Sequence, residues 1–436
     1  MEWPLLTGWL PALLLVAVWG AMVFLVAGRG RAWWRKTLPV VVVGSLVGVV
    51  AVTLVVDRWW RPFPDPLPLL VVAWIWVLLA GLGLAVARGR RGGWGSRAVV
   101  GLCALLVLTG SANQVNRYFG SFPTMAALVG ARPSQDTVLP SLTASAPTGD
   151  VRPDRWRPPV GMRTGGTVSE VVIPAPASGF SARPGWVYLP PAYWTPQRPS
   201  LPLLVLVGGQ PGHPRDWLDG GQLTAVMDSF AAGHRGLAPV VVIPDALGAP
   251  FANPLCMDSR LGNVDTYLSV DVPAFATSHL QIDPDRRHWA VGGFSYGGTC
   301  AWQLAVRHPG EFPTFLDVSG QQAPTLGSPR LTVDRAFAGD AAAFATWDPA
   351  QVLAGAAHAL PLSPRRLRYA RTAGVLAVGA ADRVYQSQLQ RVAASSTAAG
   401  ISVGWVRVPG EHSWYVATTA LARSMPWLAA RMGLGT

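Results

Sequence analysis

The segment around residue 295 carries the strongest indication of chemistry in the chain. Gly293, Ser295 and Gly297 form a G-x-S-x-G motif between an apolar, strand-like run and a helix-like run. In that context we expect the serine on a strained turn, with Oγ clear of the sheet and the helix N-terminus facing a developing oxyanion. Side chains at either glycine would collide with neighbouring backbone. The motif therefore predicts a nucleophilic serine; the competing interpretation is a plain glycine-rich turn.

A serine nucleophile needs a base, and in this kind of strand–turn–helix arrangement an acid and then a histidine follow the serine in the chain. Two histidines follow Ser295 at a useful distance: His358 in an alanine-rich, helix-like stretch, and His412 directly after the last strand-like run. His412 is the expected base, because a loop after a strand can hold the imidazole over the serine. His308 is on the helix of the motif itself, too far along it to turn back.

Asp382 is the expected acid. It follows the strand-like run 375–378, and the carboxyl ends of parallel strands are where ligand sites collect. An acid at this place fixes the tautomer of the imidazole and stabilises the imidazolium. Asp317 and Glu411 are the alternatives. Asp317 lies within a predicted strand, and Glu411 is adjacent to His412, where a side chain usually points away from its neighbour.

Acyl chemistry also needs hydrogen-bond donors for the oxyanion. We predict the backbone N–H groups of Tyr296 and Gln210 in this role, with Gly209 as the next choice. Gln210 and Gly209 lie in the loop 208–213, which follows the first predicted parallel strand. The alternative is that this loop is simply a tight turn between a strand and a helix.

The three cysteines and seven histidines give no metal-binding pattern, since no C-x-x-C occurs and the histidines are scattered. We therefore expect neither a metal nor a cofactor. Cys256 and Cys300 could form a disulfide or remain two buried thiols, and the sequence leaves both open. Cys103 lies in an apolar run, where packing is the simplest explanation.

An α/β domain must position these residues. Short apolar runs alternate with helix-like stretches from residue 166 onwards, which is typical of a doubly wound, mostly parallel sheet. Two further runs, 168–173 and 185–189, are expected to form an antiparallel entry pair. The runs expected to be parallel strands are 203–207, 240–243, 288–291, 315–318, 375–378 and 403–408. The expected helices are 217–232, 264–279, 300–308, 387–399 and 414–432.

The first 117 residues predict a bundle of four transmembrane helices, because a span needs about 20 mostly apolar residues. The four runs are 5–27, 38–56, 69–87 and 98–115. The fourth is the weakest, since polar residues interrupt it after residue 109. The two alternatives are a cleaved signal peptide in place of the first run, and a fourth run that stays outside the membrane. An interfacial segment and a Pro/Ser/Thr-rich linker follow at 118–165, and the catalytic domain is expected at 166–436.

Charge predicts the orientation of this bundle. Residues 1–130 carry 11 basic and 3 acidic side chains, and the basic ones concentrate after the first and third runs. The positive-inside rule places both of those loops in the cytoplasm, so the catalytic domain is expected on the extracytoplasmic side of the plasma membrane. The chain is 50% hydrophobic and only 13% charged, and its C-terminal part lacks the clustered basic face that nucleic-acid binding requires. A P-loop is excluded because no G-K-[ST] follows the glycines.

The C-terminal part resembles the putative esterase family of α/β-hydrolases, which includes esterase D and the trehalose mycolyltransferases. The resemblance covers about residues 165–432 and rests on the runs VYLPPAY (187–193), LLVLVGGQPG (203–212), DPDRR (283–287), GGFSYGG (292–298) and EHSW (411–414). It implies Ser295, Asp382 and His412 as a triad. The four-span N-terminus resembles actinobacterial membrane-anchored members. The histidine–glycine pair that is common in the oxyanion loop of the family appears here as Gly208-Gly209.

The sequence thus predicts a membrane-anchored serine hydrolase that cleaves carboxylic esters through an acyl-enzyme, with lipid or envelope esters as candidate substrates. One alternative is an acyltransferase that passes the acyl group to a sugar or lipid hydroxyl. The other is a non-catalytic envelope scaffold. The expected partners are the ester substrate and the lipid bilayer.

Overall fold

The computed structural model describes residues 3–27, 30–62, 65–90, 93–139 and 151–435. The chain divides into two compact units, Met1–Ala131 and Arg132–Thr436. Each unit has its own buried apolar cluster, so each is described separately.

The N-terminal unit contains four helices that are long and apolar enough to cross a membrane. They are α1 (Trp9–Val26), α2 (Trp33–Trp60), α3 (Leu69–Gly89) and α4 (Trp94–Phe119). Large apolar side chains such as Val16, Val40 and Leu69 are exposed on their outer surfaces. A helix that is apolar all round is typical of a membrane span, because lipid takes the place of a protein core.

Small residues allow close packing inside this unit. Gly110 of α4 faces Val18 of α1, and Gly81 of α3 faces Val107 of α4, so that a Cβ atom at either glycine would clash. Such contacts are typical of helix association in membranes. The polar residues that weaken the fourth apolar run, including Ser111, are buried inside the unit. Because these polar side chains face the inside of the unit, α4 can be the most polar of the four helices and still have an apolar outer surface.

The C-terminal unit is built on an eight-stranded sheet in the order β1-β2-β4-β3-β5-β6-β7-β8. The strands are β1 (Thr167–Val171), β2 (Gly185–Leu189), β3 (Leu203–Val207), β4 (Val240–Ile243), β5 (Ala290–Phe294), β6 (Thr314–Val318), β7 (Ala373–Gly379) and β8 (Ser402–Val408). β2 pairs antiparallel with both β1 and β4, and the remaining pairs are parallel. The central strands are buried along their whole length, as parallel strands covered by helices on both faces must be. This confirms the α/β-hydrolase fold and the antiparallel entry pair.

Helices cover the two faces of this sheet. The longer ones are α5 (Leu223–Gly233), α6 (Val272–His279), α7 (Tyr296–Arg307), α8 (Pro329–Phe337), α9 (Pro349–Ala357), α10 (Arg383–Ala398) and α11 (Trp414–Arg431). α7 begins four residues earlier than the sequence predicts, directly after Ser295. Between 319 and 372 the sequence indicates only a helix-like stretch around His358, whereas the structure has α8, α9 and two shorter helices, Ala341–Ala345 and Pro364–Leu367. Side-chain caps from Ser328, Asp340 and Asp348 begin three of these helices.

Part of the predicted linker is packed against the C-terminal unit. Thr137 N–H donates to Val168 O (2.9 Å), which extends the edge of the sheet beyond β1. The indole of Trp156 is buried and donates to Gln197 O (3.0 Å). The C-terminal compact unit therefore includes residues from Arg132 onwards. Residues 140–150 of the predicted linker lie outside the described residues.

Candidate active site

Ser295 occupies a sharp turn between β5 and α7. Its φ of 57° and ψ of −117° lie outside the regions that non-glycine residues normally populate. Ser295 N–H donates to Val318 O of β6 (2.8 Å), and Ser295 O accepts from Thr299 N–H in the first turn of α7 (3.1 Å). These bonds hold a backbone conformation that costs about 1–3 kcal/mol. Strain of this kind is a common feature of catalytic turns, where the surrounding structure enforces it.

The two glycines of the motif are required by close backbone approaches. A Cβ atom on Gly293 would meet the carbonyl of Gly297, and one on Gly297 would meet the carbonyl oxygens of Val207 and Gly208. β3, β5 and the start of α7 therefore touch through their main chains at the turn. This is the collision expected from the sequence.

Ser295, His412 and Asp382 form a continuous hydrogen-bonded chain. Ser295 Oγ lies 2.9 Å from His412 Nε2, and His412 Nδ1 lies 3.0 Å from Asp382 Oδ2. The Asp382 side chain is 6% exposed, whereas that of His412 is 22% exposed. The orienting carboxylate is thus shielded from water, while the imidazole is partly accessible and Ser295 is half-buried. A hydroxyl, an imidazole and a carboxylate in this order can perform nucleophilic acyl chemistry.

The loops after β7 and β8 bring the acid and the histidine together. Ala380 N–H donates to Val408 O (2.7 Å), and Ala381 N–H donates to Gly410 O (2.9 Å). Asp382 caps the N-terminus of α10, and its Oδ1 accepts from Tyr385 N–H (3.3 Å). One carboxylate oxygen is therefore committed to the helix and the other faces the imidazole.

Two aromatic rings that were not predicted from the sequence stack against the imidazole. The Tyr385 and Phe294 ring centroids lie 4.1 Å and 4.8 Å from that of His412, with interplanar angles of 26° and 29°. Trp414 packs on Phe294 in turn (5.0 Å). Phe294 immediately precedes the serine, and Tyr385 follows Asp382 by one helical turn. These positions beside the predicted serine and acid could have identified both residues from the sequence. The two rings restrict rotation of the His412 imidazole.

The alternative residues have other partners or positions. His308 Nε2 lies 2.7 Å from Asp265 Oδ2, and His358 is the C-terminal cap of α9. Asp317 lies in β6, where Oδ1 accepts from Gly320 N–H (2.8 Å) and burial raises the pKa of the carboxyl to about 7. Glu411 is exposed at the surface.

The loop 208–213 follows β3, carries Gln210 and Gly209, and lies against the serine. A Cβ atom on Gly209 would be 3.7 Å from Ser295 Cβ. The next residue, Gln210, anchors its side chain to Phe251 O (Nε2 to O, 3.3 Å). Tyr296 is the first residue of α7, and its hydroxyl donates to Ala246 O (3.1 Å) and accepts from Cys256 N–H (3.1 Å).

Cys256 and Cys300 are joined in a disulfide, with their Cα atoms 5.4 Å apart, and Cys103 is a buried free thiol. The bridge ties the loop after β4 to the first turns of α7. Within the described ranges, no three His, Cys, Asp or Glu residues are grouped so that they could hold a metal ion.

Comparisons with known proteins agree with this architecture. A family model described as Putative esterase matches residues 181–415, more than half of the chain. A Corynebacterium glutamicum protein of uncharacterised function is 33% identical over 442 residues, which cover 98% of this chain and 96% of that protein.

Two solved structures are similar to the C-terminal unit. A ferulic acid esterase covers 62% of this chain and 99% of its own, with a TM-score of 0.51 and 18% identity. An S-formylglutathione hydrolase from Agrobacterium tumefaciens covers 62% and 97%, with a TM-score of 0.49 and 18% identity. The ferulic acid esterase shows the shared fold. Because the family model matches more than half of the chain, the chain belongs to the putative esterase family of the α/β-hydrolase fold, and it is an enzyme of the serine hydrolase or acyltransferase kind.

Proposed function

We propose that this protein is a membrane-anchored serine esterase in which Ser295 is the nucleophile, His412 the general base and acid, and Asp382 the residue that orients the imidazole. The observation that carries the proposal is the hydrogen-bonded chain from Ser295 Oγ through His412 to Asp382 on a strained strand–helix turn. The family supports ester chemistry, and the substrate and the membrane topology are parts of the proposal.

Acylation begins when His412 Nε2 takes the proton of Ser295 Oγ as this oxygen attacks the ester carbonyl carbon. The tetrahedral intermediate collapses as the imidazolium gives the proton to the leaving alkoxide, which departs as the alcohol. In deacylation His412 takes a proton from water, and the resulting hydroxide attacks the acyl carbon. The proton returns to Ser295 Oγ when the carboxylic acid is released, so the protons balance over the cycle.

Asp382 sets the protonation geometry of the base. Its Oδ2 faces Nδ1, so Nδ1–H donates to the carboxylate and the lone pair of Nε2 points to Ser295. The carboxylate also stabilises the imidazolium that forms in each half-reaction. The stacked rings of Tyr385 and Phe294 keep the imidazole in the plane that both bonds require.

In this proposal, the oxyanion accepts hydrogen bonds from the backbone N–H groups of Tyr296 and Gln210. Two facts support these donors. Tyr296 begins α7, so its N–H is one of the amide groups without an intrahelical acceptor. The loop that carries Gln210 lies against Ser295 through Gly209.

The four apolar helices and their flanking charges support anchoring in the plasma membrane with the catalytic unit outside. Basic residues cluster after the first and third helices, and the positive-inside rule assigns those loops to the cytoplasm. An active site tethered beside a bilayer meets lipid or envelope esters at high local concentration. We therefore propose these esters as the substrates.

Labelling with a membrane-impermeant fluorophosphonate tests the nucleophile and its location together. Intact cells that express the wild type should label, and cells that express Ser295→Ala should not. Ser319→Ala is a matched control, because Ser319 also follows a sheet strand with a positive φ (50°) and is buried. This variant should label like the wild type.

The outcomes separate the parts of the proposal. Labelling of the wild type only after lysis would overturn the extracytoplasmic location and leave the nucleophile in place. Folded wild type that does not label before or after lysis would contradict the serine esterase itself.

A further inference from the structure

A buried ion pair lies beside the candidate oxyanion loop, which we define as residues 208–213. Arg183 Nη2 donates to Gly212 O (2.9 Å), so the guanidinium holds this loop by its main chain. Arg183 precedes β2, far from the motifs that identified the site in the sequence. The function proposed above uses neither Arg183 nor its partner, Asp245.

Asp245 fixes the guanidinium from the other side. Arg183 Nε donates to Asp245 Oδ2 (2.9 Å) and Nη2 donates to Oδ1 (2.7 Å), a two-point contact that permits one orientation of the planar group. The Asp245 side chain is 1% exposed and that of Arg183 20%. Asp245 also accepts from the backbone N–H groups of Arg183 (2.8 Å), Leu247 (3.2 Å) and Gly248 (3.0 Å). The ion pair is therefore immobile relative to the end of β4.

The segment that begins at Asp245 also contacts the other half of the candidate oxyanion hole. Gly212 N–H donates to Pro250 O (3.0 Å), and the Tyr296 hydroxyl donates to Ala246 O. Residues 245–256 thus bind the oxyanion loop on one side and the residue after the nucleophile on the other. The disulfide at Cys256 closes the far end of this segment onto α7.

We propose that Arg183 is a positioning residue for the oxyanion hole: held by Asp245, its guanidinium fixes the carbonyl of Gly212 and so keeps the Gln210 N–H directed at the oxyanion. This inference rests on the proposed function of Ser295 and goes beyond it by assigning a residue outside the triad and its donors. The charge of Arg183 reaches the loop, since burial and then this guanidinium lower the pKa of His213.

The arginine side chain suits this role better than lysine would. A guanidinium can serve a carboxylate and a carbonyl at once in a fixed geometry, whereas an ammonium is a single point charge on a flexible stem. Loss of one oxyanion donor lowers kcat by about 100- to 1000-fold. Misplacement of a catalytic group by about 1 Å can lower the rate by about 100-fold. Loss of Arg183 would displace the donor without removing it, so we expect kcat to decrease by about 10- to 100-fold in the Arg183 variants. KM should stay unchanged, because the ground-state carbonyl makes little use of these donors.

The test uses the full chain in detergent and hydrolysis of p-nitrophenyl butyrate. The first variant is Arg183→Gln with Asp245→Asn, which removes both charges together and avoids an unpaired buried carboxylate. The second variant is Arg183→Lys, which keeps a positive charge beside Asp245 and serves as the test if the first variant does not fold. The matched control is Arg307→Gln with Asp265→Asn, because that pair is similarly buried (23% and 5% exposed) and Arg307 lies at the end of α7 away from Ser295. Its kcat should equal that of the wild type.

An alkyl boronic acid gives the readout that a merely structural role would not change. It forms a tetrahedral adduct on Ser295, whose boronate oxygen needs the oxyanion donors. In the Arg183 variants, we expect its Kd to rise by the same factor by which kcat falls, at unchanged KM. A kcat and a boronate Kd like those of the wild type, or a loss that appears in KM alone, would overturn the inference while Ser295→Ala still abolishes hydrolysis. If Ser295→Ala hydrolyses the ester as fast as the wild type, the proposed function fails, and with it this inference.

Discussion

The atom that residue 382 presents to Nδ1 of His412, an oxygen or a nitrogen, determines the tautomer of the imidazole. Asp382→Asn keeps the shape and lets Oδ1 accept from Tyr385 N–H, but an amide NH₂ facing Nδ1 turns the lone pair of the imidazole away from Ser295. We expect kcat for a soluble ester to fall by about 10,000-fold with little change in KM. Steady-state kinetics on purified full chain would measure it.

Asp348→Asn provides the control for that experiment. Asp348 is also an N-cap aspartate with a buried side chain, since it begins α9 and accepts from Ala350 N–H (3.1 Å). Its replacement should leave kcat unchanged. An equal loss in both variants would assign the effect to helix capping and would remove Asp382 from the triad.

A second carboxyl, Asp317, should govern stability and not chemistry. Burial raises its pKa from 3.8 to about 7, so in this interval the folded protein holds a proton that the unfolded chain releases. The contribution of Asp317 to the free energy of unfolding should therefore fall as pH rises from about 4 to 7, by up to about 1.4 kcal/mol per pH unit, and level off above 7. The asparagine of Asp317→Asn does not titrate and keeps an acceptor for Gly320 N–H.

Thermal midpoints measured between pH 5 and 8.5 would test this expectation. The Tm of Asp317→Asn minus that of the wild type should increase towards pH 7 and then stay constant. Asp340→Asn, which changes an exposed N-cap carboxyl, is the control and should show no comparable rise. Parallel Tm curves for wild type and Asp317→Asn would show that Asp317 is ionised throughout.

At the scale of elements, the junction of β5 and α7 depends on the absence of side chains. Gly297→Ala would place a methyl group against the carbonyls of Val207 and Gly208, both main-chain atoms that cannot move without shifting β3. We expect a loss of about 1–3 kcal/mol of stability and loss of fluorophosphonate labelling. Gly310→Ala should be neutral in both measurements, since no atom lies within 4 Å of a Cβ atom built there.

The disulfide links two elements that are 44 residues apart in the chain. Closing a loop of that length restricts the unfolded chain and stabilises the folded state by about 4 kcal/mol. Replacement of Cys256 and Cys300 together by alanine should lower the Tm of the C-terminal unit, whereas Cys103→Ala leaves that unit unaffected. Alkylation of the unfolded wild type followed by mass spectrometry should find one reactive thiol before reduction and three after it. Three thiols before reduction would contradict the bridge.

Elements with continuous apolar runs were predictable, and those defined by contacts far along the chain were not. The bounds of β2, β3 and β4 agree with the sequence prediction because proline or glycine residues flank each run on both sides. The start of α7 was missed because Gly297 and Gly298 suggest a loop unless the close approach of β3 is known. The pairing of Arg183 with Asp245 has no local signal, since 62 residues separate them.

For the whole molecule, the uneven distribution of charge and apolar surface is the main argument. Of the formal net charge of +12, the first 130 residues contribute 11 − 3 = +8, although their helices expose apolar side chains. A soluble protein would bury such surface, whereas in a bilayer it faces lipid and the flanking arginines face the cytoplasm. The proposed topology satisfies both features at once.

The separate cores of the two units give a direct test of what the helices contribute. A chain limited to residues 132–436 retains the sheet, the proposed triad and the disulfide, and should therefore fold and hydrolyse a soluble ester with the kcat/KM of the full chain. On an ester lipid in vesicles, the reconstituted full chain should be about 100-fold faster or more, because tethering replaces diffusion by a high effective concentration. Hydrolysis of the soluble ester reports whether the shortened chain is folded, and hydrolysis of the vesicle ester reports whether its active site still reaches lipid. Equal rates of the two forms on the vesicle ester would show that the helices do not bring the active site to lipid substrates, and the substrate class would then have to be sought among soluble esters.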